Sequence, residues 1–106
     1  MNLLTQKLME LIPPLYNTEQ MEPINIKVIC KFFNPIGSQT WYVTEYDGEN
    51  TFFGFVNLGD DDNAELGYFS KSELEELQLP LGLRIERDLY WDSNTTLSEV
   101  MMKLGK

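Results

Sequence analysis

The chain has no histidine and a single cysteine, Cys30. Without histidine no Ser–His or Cys–His nucleophilic couple forms within the chain, and the commonest metal ligand and near-neutral base is missing. One cysteine excludes an internal disulfide and fits a reducing compartment. Cys30 sits in the alternating apolar run INIKVICKFF, which makes it a small buried hydrophobe rather than a nucleophile. Long apolar runs are lacking too: none approaches the roughly 18 residues of a membrane span. MNLLTQKLMELIPP is broken by Lys7 and Glu10 and stopped by Pro13, so no signal peptide is read. The expectation is a soluble, cytoplasmic chain with no membrane partner, folding as a single domain over 1–106.

Positive charge is scarce. Eight Lys and Arg stand against seventeen Asp and Glu, for a net charge of −9. Direct binding to nucleic acid is disfavoured, because neutralising phosphates takes clustered cations. Residues 45–76 hold ten acids and one base, Lys71, while the remainder is balanced at seven and seven, so the middle third carries the whole net charge. The repeated glycines and the lysine of a phosphate-binding loop are absent as well.

What is present is enough apolar material for a core: 42% hydrophobic and 12% aromatic residues. LLTQKLMELIPP predicts a short helix, with Thr5 as N-cap, a Leu4–Met9 staple, and Leu8, Leu11 and Ile12 on the face of Leu4. Strands are predicted at 24–33, at TWYVTEY (40–46), at TFFGFVNL (51–58), in the short ELGYFS, and at LRIERDLYW (83–91). DGEN reads as a hairpin turn, and Gly54 as a bulge or a close backbone approach. Ser70 with Glu73 and Thr96 with Glu99 read as capping boxes of two further helices. The first runs to about Gln78 with Leu74 and Leu77 inward; the second carries Leu97, Val100, Met101 and Leu104 and stops at Gly105. The fold expected is α+β: a mostly antiparallel sheet of about five strands, with N-terminal, middle and C-terminal helices packed on one side.

Three features invite chemistry. The Asp60-Asp61-Asp62-Asn63-Ala64-Glu65 loop suggests a hard cation, but it lacks the central glycine, alternate ligands and distal glutamate of a calcium loop. A solvated acidic loop without a metal is the expectation. RIERDLY would place Arg84, Glu86, Asp88 and Tyr90 on one strand face, with neighbours roughly 6.5 Å apart, a spacing usable by paired carboxylates. The plainer reading is that Arg84 and Arg87 pair with these acids. Trp41, Tyr42, Tyr46, Phe52, Phe53 and Phe55 lack the interleaved cations of a base-stacking platform and read as core and cross-strand pairs. No cofactor is implied, and no enzyme is expected.

The segments LLTQKLMELIPPL, KFFNP, TWYVTEYDGE and FFGFV, and above all ELGYFS with PLGLRIERDLYW, carry a resemblance over most of the chain. The sequence resembles a bacterial family of small uncharacterised proteins, a domain of unknown function common on plasmids, phages and integrative elements. The resemblance implies a mobile-element setting and transfers no catalytic residues. The GDDDNA loop is longer or more acidic than that family would suggest.

From these readings the expected function is a non-enzymatic binding protein from a mobile element. It would inhibit a host nucleic-acid-processing defence protein, of anti-restriction or anti-CRISPR type, through an acidic surface that mimics nucleic acid. Asp47, Glu49, Asp60, Asp61, Asp62, Glu65, Glu73, Glu75 and Glu76 are its candidate contact residues. The alternative is an accessory protein-interaction module that binds through an apolar or aromatic surface, either the aromatic strands or the Met101–Met102 helix, with the acids serving solubility. A third reading, an enzyme using Glu86 and Asp88, has the least support in the sequence.

Overall fold

Thr5 accepts from the Leu8 amide and opens helix α1, Gln6–Leu11, in a computed structural model that describes residues 2–106. Five strands follow: β1 Cys30–Phe33, β2 Thr40–Tyr46, β3 Thr51–Asn57, β4 Glu65–Ser70 and β5 Glu86–Arg87. Helix α2, Lys71–Glu76, follows β4 directly, and α3, Leu97–Lys103, closes the chain. All strand pairs are antiparallel, in the order β4-β3-β2-β1-β5, so the α+β expectation holds.

The central hairpin is built by its turn. Gly48 takes φ +86, and the Asp47 carboxylate accepts the amides of Glu49, Asn50 and Thr51 at 2.8, 2.8 and 3.0 Å. Those backbone bonds hold the Asp47 carboxyl below its usual range. Gly54 is a close approach, as expected: a Cβ there would lie 1.8 Å from the Tyr42 carbonyl oxygen. Across from it the β2–β3 register slips between Val43 and Glu45. Strict alternation would put Glu45 in the inward register of Trp41 and Val43. The bulge at Thr44 turns Glu45 away, and Tyr46 stacks on Phe52 instead, at 4.6 Å between ring centroids.

Two apolar clusters lie on opposite faces of this sheet. Phe32, Trp41, Val43 and Phe52 face the N-terminal segment and α2, through Leu3, Leu4, Ile12 and Leu74. Val28, Ile26 and Phe55 face α3, through Leu97 and Val100. Helices therefore cover both faces rather than one, because apolar side chains alternate through β2 and β3 and each face needs a cover.

Several boundaries differ from expectation. The run at 24–33 is a strand only from Cys30; before it, Pro23–Asn25 forms a 3-10 turn and Ile24 is exposed. Lys27 bridges to Thr96 instead of joining the β2 ladder. The predicted strand at 83–91 shrinks to Glu86–Arg87, since the Asp88 carboxylate accepts the Tyr90 amide and turns the chain. Leu11 and Leu77 are exposed, for α1 and α2 are six residues each and present less than a full apolar stripe. Ser70 caps α2 by accepting from Glu73 N, but only α3 completes the reciprocal capping box, through Thr96 and Glu99.

Candidate binding surface

The acids of the middle third divide between two ends of the sheet. Strand β3 separates the hairpin that carries Asp47 and Glu49 from the loop that carries Asp60, Asp61 and Asp62. Its seven residues put those turns roughly 20 Å apart. The β3–β4 register pairs Val56 with Glu65 and Thr51 with Ser70, so Glu65 joins the loop while Glu73, Glu75 and Glu76 of α2 join the hairpin end. The nine expected contact residues thus form two groups and not one continuous face.

Four of the nine have structural work. Asp47 organises the hairpin turn. Asp60 accepts from the Asp62 amide at 3.1 Å and from the Asn63 side chain at 2.6 Å, shaping the 3-10 turn Asp61–Asn63. Asp61 accepts from the Asn57 side chain at 2.8 Å. The half-buried Glu75, expected as a contact residue, accepts the Leu3 amide at 3.2 Å and so ties the N-terminal segment to α2. The carboxylates of Glu49, Asp62, Glu65, Glu73 and Glu76 are exposed and accept none of the hydrogen bonds among the described residues. Among those residues no three His, Cys, Asp or Glu side chains are grouped to hold a metal ion.

The strand face imagined for Arg84, Glu86, Asp88 and Tyr90 does not form. Asp88 lies beyond β5, its amide donates to Lys31 O, and Tyr90 projects into solvent. The arginines bond backbone instead of these acids: Arg84 donates to Glu75 O at 3.1 Å and Arg87 to Leu3 O at 2.6 Å. Cys30 is buried as expected, and burial pushes its thiol up to about 12, against a smaller opposing pull from Arg87.

An apolar cavity lies elsewhere. A cleft of about 360 Å³ opens on the α3 face of the sheet, between the 16–26 connector and strands β2 to β4. Tyr16, Met21, Ile26, Phe53, Leu66 and Tyr68 supply apolar walls, with Thr44 and Glu45 at the base. Tyr16 and Tyr68 are 63% and 56% exposed. Phe53 supports Tyr68 with ring centroids 4.9 Å apart. Desolvation first, then the Tyr16 phenol, then Glu45 and Glu19, raise the Tyr68 hydroxyl above its ordinary value.

Glu45 ties one wall of this cleft to the sheet. Only 3% exposed, its carboxylate accepts the amides of Tyr16 and Thr18 at 2.8 and 2.9 Å, and the Thr18 hydroxyl as well. These bonds hold Tyr16 at φ +70, a left-handed conformation that costs a bulky residue about 1–2 kcal/mol without support. Sequence reasoning counted Glu45 only as charge and passed over Tyr16, Thr18 and Tyr68. One signal was there: a carboxylate in the register of Trp41 and Val43, which requires either a bulge or a buried partner.

Among the described residues no helix is long and apolar enough to cross a membrane. A family described as Protein of unknown function (DUF2958) matches residues 3–104. No curated protein and no solved structure matches the chain.

Proposed function

We propose, for a chain that belongs to the DUF2958 family of proteins of unknown function, a non-enzymatic role as a protein-binding module whose contact surface is the aromatic cleft beside β4. The observation that carries this reading is the pair Tyr16 and Tyr68, both more than half exposed over a cleft whose base is held by buried Glu45. Tyrosine offers a large contact area with few rotamers to freeze, and a supported tyrosine loses little on binding. The acidic groups at the two ends of the sheet steer a partner of opposite charge.

Proteins that handle nucleic acid present such basic surfaces, which keeps a second reading in play. In it the chain comes from a plasmid, phage or integrative element in a bacterium and inhibits a host defence nuclease of restriction or CRISPR type. The supporting observation is that residues 45–76 carry the whole net charge of −9. Since the acids form two groups, a mimic of this shape would touch a basic channel at two places roughly 20 Å apart.

One experiment separates the readings: capture from bacterial lysate on the immobilised chain, washed at low and then high salt. Tyr68→Ser and a variant with Asp62, Glu65, Glu73 and Glu76 changed to Asn or Gln run beside the wild type. Under the first reading Tyr68→Ser loses the captured partner, and the wild type keeps it through high salt. Loss only in the neutralised variant, with release at high salt, selects the mimic, and a nuclease-inhibition assay then follows. Equal capture by all three proteins refutes both.

A further inference from the structure

Strand β4 ends the sheet, and its outer edge is open. The Lys71 amide donates to Asn50 O, which makes that pair a hydrogen-bonded one. Alternation along the β3–β4 register then directs the N–H and C=O of Glu65, Gly67 and Phe69 toward β3 and those of Leu66 and Tyr68 outward. No backbone or side-chain hydrogen bond from another described residue reaches the outward groups. Three common defences of an edge are missing: ELGYFS has no proline and no lysine, and no bulge breaks its ladder to β3 over six residue pairs. Gly67 leaves open space, with nothing within 4 Å of where a Cβ would stand. A second cavity of about 360 Å³ runs beside the strand, lined by Leu58, Asp60, Asn63, Glu65, Leu66 and Tyr68.

From this geometry we infer that β4 receives an extended segment of a partner protein as a sixth strand, and that the segment has an apolar-alternating centre with Lys or Arg at both ends. The inference rests on the proposed binding role and specifies its occupant. Main-chain bonds to Leu66 and Tyr68 supply the affinity, and every second side chain of the segment lies over Leu66, Tyr68 and the cleft. The charge requirement follows from topology. Free carboxylates of Asp62 and Glu65 stand at one end of β4, and those of Glu73 and Glu76 follow its other end. A second copy of the chain is the wrong occupant: antiparallel pairing of two β4 edges would set the loop acids of one copy against the α2 acids of the other, in molecules that each carry −9.

The test is an NMR titration of the full chain with the peptide Lys-Lys-Thr-Val-Thr-Val-Thr-Lys-Lys, read by hydrogen exchange at individual amides. The expected result is slowed exchange at Leu66 and Tyr68, at least tenfold, with no such change for a peptide whose lysines are replaced by glutamates. Methylating the alternate peptide nitrogens that face β4 should abolish the effect, and Leu66→Lys should weaken it at least tenfold. Failure of the basic peptide to protect these amides, or equal protection by the acidic one, overturns the inference. So does a dimer, seen by sedimentation, that protects them without peptide. If Tyr68→Ser loses the lysate partner while no peptide protects the β4 edge, the cleft reading stands and the strand-addition inference alone fails.

Discussion

The carboxylate of Glu45 accepts both the amide and the hydroxyl of Thr18 from a position 3% exposed, and so fastens the 16–26 connector across the sheet. Buried donors that lose their acceptor cost about 1–3 kcal/mol each. Glu45→Ala strands three donors and should destabilise the fold by about 3 kcal/mol, while Glu45→Gln, which keeps one acceptor oxygen, should lose about half as much. Denaturant melts give the stability. Faster exchange at the Tyr16 and Thr18 amides, greater than at β2, would show that the connector is what loosens.

The two strand glycines should respond very unequally to the same methyl group. At Gly54 a Cβ would meet the Tyr42 backbone oxygen at 1.8 Å, so Gly54→Ala must push β2 and β3 apart, at a cost of about 3 kcal/mol or more. At Gly67 no atom lies within 4 Å, and Gly67→Ala should shift stability by less than about 0.5 kcal/mol. Thermal melts of both proteins, side by side, decide the point.

Asp47 predicts an acid-side dependence. Its folded carboxyl is held down by the amides of Glu49, Thr51 and Asn50, so the ionised form is favoured by folding. The stability it contributes is fully present above the ordinary aspartate value near 3.9 and is lost as pH falls through the lower folded value. Asp47→Ala should cost about 0.5–1 kcal/mol at neutral pH, because solvent screens so exposed a carboxylate, and Asp47→Asn, which retains the acceptor, should cost less and flatten the decline below about pH 4. Urea midpoints measured from neutral pH down to pH 2.5 would reveal it.

Cys30, with its thiol pushed up to about 12 and buried in the same core cluster as Phe32 and Val43, should resist alkylation in the folded protein at pH 8. Mass spectrometry should find no adduct until denaturant is added, then one per chain. Rapid labelling of the native protein would mean that the packing around β1 opens far more readily than its burial implies.

The elements that local chemistry dictates were legible in the sequence. Thr5, Ser70 and Thr96 marked helix starts because a side-chain oxygen three residues before an amide satisfies it with no help from the rest of the fold. DGEN marked the turn because Gly48 needs only its own φ. TWYVTEY matched β2 residue for residue, and the antiparallel α+β architecture followed from strands joined by short turns. The strand at 24–33 was overextended because Ile26 and Val28 alternate as strand residues do but are claimed by the last helix and the backbone before it, a partner some seventy residues away. LRIERDLYW misled in the same way, since Ile85 is buried by tertiary contacts that period-two patterning imitates.

By itself the sequence determined where the charge lies along the chain, which residues cap and turn, and that Cys30 is a core residue. Only the tertiary structure decided where the charge lies in space. Antiparallel pairing carries β3 from the hairpin to the acidic loop and β4 back again, so carboxylates that neighbour one another in sequence end on opposite rims. The same pairing brings Tyr68 beside Tyr16, fifty-two positions earlier, and lets the bulge at Thr44 send Glu45 under both. Strand registry is a property of partners and not of single strands, which is why a sequence that announces its acids so plainly is silent about the cleft between them.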